Sequence, residues 1–358
     1  GPPFEKIGHP TMLQIGTAQA SPGTRAFGVI EVDYTLSRMP ITIPVNIING
    51  TGDGPTLAIG AAVHGPEIIG SLGLGKLLRE LDPAAVSGQL IVIPVVNTSA
   101  FEFGQRETRW DGQDLNRQGR GRADGSISER LAYAYFENVI RSADYFIDIH
   151  SGGPETYFYY TIFLSDAPGV EFDPGVVEAS RQMAFAFGLE HIFAKTPWRG
   201  TFKEEAMKEG IPAIAIEMAG GPDFFHNGDA QIETCYRGVT NVMKYLGMLE
   251  GEIVVEARQC KLWEAHTEIV AGAEAGFMLR QARWGDYLAA GDTYAIVYHP
   301  YTGEELGRIT APKAGTVLNS GTVWPPISAG RWLAVLGDLI EEIPLGYKIV
   351  GDMENYVD

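Results

Sequence analysis

His64 and Glu67, separated by Gly65-Pro66, set an imidazole and a carboxylate on one turn of chain, close enough to grip a single divalent cation. Zinc is the ion best suited to mixed nitrogen and oxygen donors with one position left open for water. The pair sits where an apolar run, residues 56–63, stops and a helical pattern, residues 68–81, begins. That run reads as a buried strand, so both donors fall at its carboxyl end, the edge where open α/β sheets carry their ligand sites. A further donor closes a second apolar run: residues 143–149 stop at His150, ahead of a Ser151-Gly152-Gly153 turn. A third run, residues 211–216, stops at Glu217. Together these strand ends offer two histidines and one carboxylate for a metal, and a spare carboxylate for proton transfer. A lone HxxE recurs by chance, and a lone histidine is more often a hydrogen-bonded structural residue than a ligand. Coincidence at three strand ends is what carries the metal reading. Asp148, two residues before His150, faces the same way along its strand and can orient the imidazole or form a plain buried pair.

The formal net charge of −18 repels nucleic acid and anionic membranes, and excludes both as partners. Against that background Arg106, Arg109, Arg117, Arg120 and Arg122 face only Glu107, Asp111 and Asp114 across residues 106–122. A basic island in an acidic chain suits an anionic small molecule, because a guanidinium binds a carboxylate through two parallel hydrogen bonds. Arg120 and Arg122 are expected instead to pair with acids on the surface. The island lies in a connection, residues 97–124, with little regular pattern, and long irregular loops in compact domains are usually functional.

The elements that must hold these groups follow from periodicity. A chain of 358 residues, 45% of them apolar, can build one large or two ordinary domains. No apolar run reaches the roughly 20 residues that a membrane-spanning helix needs, and no signal peptide with a basic start is visible. Gly1-Pro2 reads as a protease-cleavage scar. Cys235 and Cys260 give neither a disulfide framework nor a zinc spacing, and read as buried thiols of a reducing, cytoplasmic compartment. Residues 27–33 and 41–48 alternate with period two and suggest edge strands, Pro44 arguing against a central place for the second. Residues 88–97 form another buried strand. Helical patterns cover residues 128–141, with Leu131, Tyr135 and Val139 on one face, and residues 178–189, 201–209 and 227–249. The expected fold is α/β, a mixed sheet sandwiched by helices over residues 1–250, followed by a small all-β domain over residues 251–358.

With His64-x-x-Glu67, Asp114-Leu115-Asn116-Arg117, Asp148-Ile149-His150-Ser151-Gly152 and Glu217-Met218-Ala219-Gly220 in this order, the chain resembles the succinylglutamate desuccinylase/aspartoacylase family of zinc hydrolases, relatives of the metallocarboxypeptidases. The resemblance covers essentially the whole chain, and its specificity lies in the ordered set. It implies a zinc carboxypeptidase-like fold, one zinc per chain held by His64, Glu67 and His150, and Glu217 as the general base. It also implies that Asn116 and Arg117 hold the substrate carboxylate and that an arginine slightly earlier polarises the scissile carbonyl. The loop pattern favours Arg106 for that role over Arg109, which is left as a substrate contact. The implied activity is removal of an acyl group from an N-acylated amino acid or similar small anionic amide. The rivals are a carboxypeptidase acting on a peptide C-terminus and a non-catalytic small-molecule-binding protein. After Arg117 the family's usual Phe-Pro-Gly gives way to Gln118-Gly119-Arg120-Gly121. Within the family the chain is similar to the N-acetyl-diaminobutyrate deacetylases of ectoine breakdown, in Asp148 to Gly153 and in Asp124-Gly125 followed by Ser128-Glu129. Residues 271–277, with Ala273-Glu274, and 311–317 resemble the two halves of a barrel-sandwich hybrid of the lipoyl-carrier type. Lys313 lacks the sequence context of a modified carrier lysine, so the domain is expected to pack at the rim of the zinc site and narrow it. Acyl group, amine side chain and assembly into a homo-oligomer are left open.

Overall fold

The computed structural model describes residues 12–154, 158, 161–166, 169–218, 220–221, 224–273, 275–320 and 326–350. Gly1-Pro2, Ala219 and Glu274, which figure in the motifs above, lie outside the described residues. A small antiparallel hairpin, β1 (Leu13–Ile15) and β2 (Ala18–Ala20), precedes two long strands, β3 (Thr24–Tyr34) and β4 (Pro40–Asn49). Alternation in β4 buries Ile41, Ile43, Val45 and Ile47 on one face. Then come β5 (Gly52–Ala61), helix α1 (Ile69–Glu80) and β6 (Ser87–Ile93). The expectation of two edge strands needs correcting: β3 is the sheet edge, whereas β4 lies between β3 and β6. Pro44 is tolerated because only Asn46 to Asn49 of β4 pair with β6, so at Pro44 the strand has a partner on one side, Val29 of β3.

Next are α2 (Thr98–Phe103), α3 (Ile127–Tyr135), β7 (Tyr145–Ser151), β8 (Thr161–Asp166), α4 (Pro174–Phe187), β9 (His191–Lys195), α5 (Phe202–Lys208), β10 (Ala213–Met218) and α6 (Phe224–Tyr245). The connection after β6 is more ordered than its pattern suggests. Asn97 caps α2 by accepting from the Ala100 N–H, and Asp114 caps a 3-10 turn, Leu115–Arg117, by accepting from the Asn116 N–H. Elsewhere the chain carries its own punctuation: Ser126 and Glu129 form a capping box at α3, and Asp173-Pro174 starts α4 four residues before its apolar pattern becomes visible. The sheet is sandwiched. Leu57, Ile59 and Ile147 face α1, α4 and α6 through Leu74, Leu77, Met183, Phe187, Val239 and Met243. Ala58, Ile91 and Phe146 face α3 and α5 through Leu131, Tyr135, Phe202 and Ala206.

One contact in that second layer is tight enough to test. Tyr135 stacks edge-on to Phe146 and Phe202, with ring centroids 6.2 and 5.0 Å away, and a Cβ on Gly60 of β5 would lie 1.9 Å from its hydroxyl oxygen. Gly60→Ala should therefore cost about 1–3 kcal/mol of stability, as overpacked cores do. Tyr135→Phe removes an oxygen with no hydrogen-bond partner among the described residues, so it should restore part of that loss in the double variant. Calorimetric Tm values of the two single variants and the double variant check this. A double variant no more stable than Gly60→Ala would contradict the packing.

The remaining elements are β11 (Val254–Val255), β12 (Gln259–Val270), β13 (Gly276–Arg280), β14 (Tyr287–Leu288), β15 (Thr293–Tyr298), β16 (Glu305–Thr310), β17 (Gly315–Ser320), β18 (Pro326–Ile327), β19 (Trp332–Pro344) and β20 (Lys348–Ile349). The main sheet has twelve strands in the order β14-β17-β19-β12-β9-β8-β10-β7-β5-β6-β4-β3. It thus runs unbroken from the α/β layer into the β-rich C-terminal part, through parallel pairing of β12 with β9. A second sheet, β16-β15-β13-β18, packs with it around Ile269, Met278, Tyr294, Val297, Val317 and Leu336. Cys235 and Cys260 are buried and unbridged. Among the described residues no helix is long and apolar enough to cross a membrane.

Candidate metal centre

Three neighbouring parallel strands, β5, β7 and β10, aim their carboxyl ends at one place. Beyond β5 the chain turns at Ala62, whose φ of +50° is uncommon for a residue with a side chain. The turn is braced by Val96 and Asn97, whose N–H groups donate to the Ala61 and Ala62 carbonyls. A Cβ on Gly65 would sit 1.9 Å from the Ala100 carbonyl oxygen, so glycine is needed there to let the arginine-bearing loop close over the strand end. On the other side His150 pairs in register with Glu217, which places both side chains on the same face of the sheet.

Glu67 lies between two imidazoles, Oε1 being 2.7 Å from His64 Nδ1 and Oε2 2.8 Å from His150 Nδ1. The outer nitrogens are also engaged: His64 Nε2 lies 2.9 Å from Asp114 Oδ1, and His150 Nε2 lies 3.1 Å from Asp148 Oδ2. Both rings thus turn Nδ1 inward; Asp114 is hydrogen-bonded to the outer nitrogen of His64, the kind of partner that fixes tautomer and orientation in a metal-binding histidine, whereas Asp148 sits at ion-pair distance from His150 with neither oxygen hydrogen-bonded among the described residues. His64, Glu67 and His150 are 3%, 6% and 4% exposed, and one donor atom from each lies within 4.8 Å of the others. Donors around a tetrahedral zinc stand about 3.4 Å apart. Two imidazole nitrogens and one carboxylate oxygen at these separations fit one such ion with a fourth position open.

The charges of the cluster are strongly coupled. Burial works to raise the Glu67 carboxyl, but His64 and His150 on either side hold it well below the usual carboxylate range. For His150 burial opposes the charged form, and Asp148 and Glu67 outweigh it, so proton affinity rises well above that of an ordinary histidine. Asp114 is likewise held far down, against its burial, by His64, Arg106 and Arg117. Glu217 also feels His150 and Arg106, which pull downward, but here they are outweighed. Burial first, and then the negative charge of Glu67, push its carboxyl up to about 8. Its Oε2 is buried without a hydrogen-bond partner among the described residues.

Of the arginines, Arg106 joins the cluster: Nη2 is 2.9 Å from Asp114 Oδ2 and Nη1 is 3.6 Å from Glu67 Oε1. Arg109 does not. Its guanidinium lies over the exposed ring of Phe103, 4.8 Å from the centroid, outside the group around Glu67. Asn116 is buried between His150 Nε2, 3.4 Å from its Nδ2, and the Phe202 N–H, which donates to its Oδ1 at 3.2 Å. Arg117 donates to the Asn116 carbonyl at 2.9 Å. Burial lowers its proton affinity, against the opposing field of Asp114 and, more weakly, of Glu268. Arg120 pairs with Glu205 and Glu209, and Arg122 with Asp124 and Glu129, as expected of surface residues. Asp114 carries no role of its own among the expectations above. The signal for it was its place two residues before Asn116, but its contact with His64 spans fifty residues of chain and is visible only in the fold.

Residues 53–246 match the succinylglutamate desuccinylase/aspartoacylase catalytic domain. The N-alpha-acetyl-L-2,4-diaminobutyric acid deacetylase of Halomonas elongata is 27% identical over 316 residues, which span 85% of this chain and 87% of that protein. A succinylglutamate desuccinylase/aspartoacylase from Rhodobacter sphaeroides shares the fold with a TM-score of 0.76 at 22% identity, over 88% of this chain and 96% of the other. The product-bound ectoine utilization protein EutE (DoeB) of Ruegeria pomeroyi superposes with a TM-score of 0.75 at 24% identity, over 88% and 94%. Because the matched domain covers more than half of the sequence, including all three strand ends, the chain belongs to the succinylglutamate desuccinylase/aspartoacylase family.

Proposed function

We propose that the chain is a zinc-dependent amidohydrolase that removes the acyl group from a small N-acylated amino acid. The observation that carries this reading is the buried His64, Glu67 and His150 donor set with Glu217 facing it from the next strand. Zinc, when bound, supplies a Lewis acid that acidifies water and polarises an acyl oxygen. Glu217 takes the proton of the attacking water and returns it to the leaving amine. A carboxyl pushed up to about 8 serves both steps, because either protonation state is within reach near neutrality. Arg106, anchored on Asp114, faces the charge that develops on the acyl oxygen. Arg117 and Asn116 receive the carboxylate of the amino acid, and Arg109 on the outer loop has no inner role. Asp114 and Asp148 hold the imidazoles in place.

The Halomonas relative is a deacetylase of N-alpha-acetyl-L-2,4-diaminobutyric acid, and we extend N-acyl amino acids to this chain as its substrate class. We keep residues 1–250 as the catalytic part and 251–358 as the β-rich part, with β12 joining them, and propose that the second narrows the approach to the site. A peptide C-terminus needs that approach open, which places carboxypeptidase action second. The buried thiols of Cys235 and Cys260 favour a reducing, cytoplasmic setting. Zinc-loaded protein should release free amine from N-acetyl amino acids and stop doing so when the metal is chelated. A screen with no amine released from any N-acyl amino acid would contradict the reading.

The two arginines should separate kinetically. Arg106→Ala removes a contact made as charge develops, and should lower kcat by roughly 100-fold. Arg117→Ala removes a contact made equally to substrate and transition state, and should raise KM by roughly tenfold with little change in kcat. Steady-state kinetics on one N-acetyl amino acid checks both, and equal effects on kcat from the two variants would contradict this division.

A further inference from the structure

We infer that Glu268, with Trp198 and Trp332, forms a pocket for a cationic side chain of the substrate, next to the Arg117 that receives its carboxylate. The inference rests on the N-acyl amino acid reading above. Glu268 belongs to β12, four residues past Glu264, the last residue of that strand paired with β9. It therefore extends beyond the end of β9, over the loop that leads to α5. Trp198 in that loop donates from Nε1 to Glu268 Oε1 at 2.7 Å. The same loop is docked on the carboxylate-binding turn: the Gly119 N–H donates to the Gly200 carbonyl at 3.1 Å, and the Phe202 N–H to Asn116 Oδ1 at 3.2 Å.

Aromatic rings from separate parts of the chain gather beside Trp198. Trp332 of β19 meets Trp198 edge to face, 6.3 Å between centroids at 67°. Phe158, in the segment that leaves β7 after His150, closes on Trp332 at 6.1 Å. Glu268 is near enough to Arg117 for their charges to interact, yet no direct ion pair joins them among the described residues; Arg117 is bonded to the Asn116 carbonyl. A half-buried carboxylate that holds one indole N–H, with further aromatic rings next to that indole and no direct ion pair to Arg117 among the described residues, suits an organic ammonium, through ion pairing and cation–π attraction. A neutral side chain of the same size would leave Glu268 desolvated with one indole N–H, and a polar site rejects an analogue that cannot pair with it.

The test compares N2-acetyl-2,4-diaminobutyrate with N-acetylnorvaline, which has a methyl group where the first has an ammonium, on zinc-loaded wild type and Glu268→Gln. Wild type should prefer the cationic substrate by roughly 10- to 100-fold in kcat/KM. Glu268→Gln should erase that preference through KM, with the rate on N-acetylnorvaline unchanged within about twofold. Glu268→Lys should turn the preference toward N-acetylaspartate. Titration calorimetry with free diaminobutyrate should show the same contrast between wild type and Glu268→Gln without turnover. A wild type that hydrolyses the cationic and neutral substrates equally overturns the inference whatever the variants do. Equal losses on both substrates in Glu268→Gln would make Glu268 a prop for the Trp198 loop, and also overturn it. Hydrolysis of neither substrate by a wild type that releases amine from another N-acetyl amino acid overturns the inference and leaves the deacylase reading standing, whereas no release from any N-acyl amino acid sinks that reading itself.

Discussion

Glu217→Gln should keep one zinc per chain and lose roughly a thousandfold in kcat. The amide preserves the shape of the side chain in β10, opposite His150, so neither the strand pairing nor the donor set is disturbed. What disappears is the ability to accept a proton, and a positioned general base is typically worth about 10²–10⁴ in rate. Burial and the charge of Glu67 are what make Glu217 suitable: they raise its carboxyl to about 8, whereas Glu67, bonded to both histidines, is held far too low to exchange protons near neutrality. The two carboxylates of one site are thereby pushed into different roles by their partners. Metal content by mass spectrometry, together with single-turnover hydrolysis, measures both halves of the prediction. Loss of the metal would make Glu217 a ligand, and retention of most of the rate would move the base elsewhere.

Alanine at either histidine should abolish stoichiometric zinc binding, but the two variants should differ in stability. Removing a metal donor should weaken binding by more than the roughly 10- to 100-fold seen when only an outer partner is lost. His150→Ala also strands Asp148, which is 0% exposed and whose ion pair is with His150 Nε2. Leaving a buried charge without its partner costs about 3–5 kcal/mol, so the metal-free His150→Ala protein should unfold well below the metal-free wild type. His64→Ala strands no such group, because Asp114 keeps Arg106 and the Asn116 N–H. It should lose the metal with a much smaller fall in stability. Zinc content and chemical denaturation of the two stripped variants test the contrast. Stoichiometric zinc in either, or equal destabilisation of both, would contradict the geometry given to Asp148 and Asp114.

Much of this arrangement is legible in the sequence because the strands that carry it are buried on both faces. Residues 56–63 and 211–216 read as near-continuous apolar runs, and residues 143–149 as one interrupted only by Asp144 and Asp148, so a polar residue that ends such a run stands out. The placement of Asp148 behind His150 follows from the two-residue repeat of a strand alone. Where the periodic signal is short or mixed, the reading fails. β8 and β9 were not foreseen: β9 is five residues bounded by His191 and Lys195, too short to separate from a loop. With β9 unseen, its parallel pairing to β12 was unseen as well, and so the sheet was read as ending where the β-rich part begins. Pro44 misled for β4 because a rule about paired strands applies residue by residue, and that strand gains its second partner only from Asn46 onward. The choice between Arg106 and Arg109 needs the fold. Asp114 reaches one and the Phe103 ring the other, and no local spacing encodes either contact. Glu268 lies 151 residues from Arg117 in sequence, beyond any motif that would connect them.

The same pairing decides how the C-terminal part can be studied. Cutting the chain near residue 256 would take β12 from β9, and Cys260 and Leu262 from the core they share with α4 and α6. Point substitutions at Trp198, Glu268 and Trp332 in the intact chain are therefore the informative ones.

The most direct measurement is a zinc titration of chelator-stripped protein that follows amine release from an N-acetyl amino acid. Activity is expected to be absent at the start, to rise in proportion to added zinc and to stop rising at one ion per chain. Hydrolysis that persists in the stripped protein, a break at two ions per chain, or no amine release at any zinc content would contradict a single catalytic zinc held by His64, Glu67 and His150.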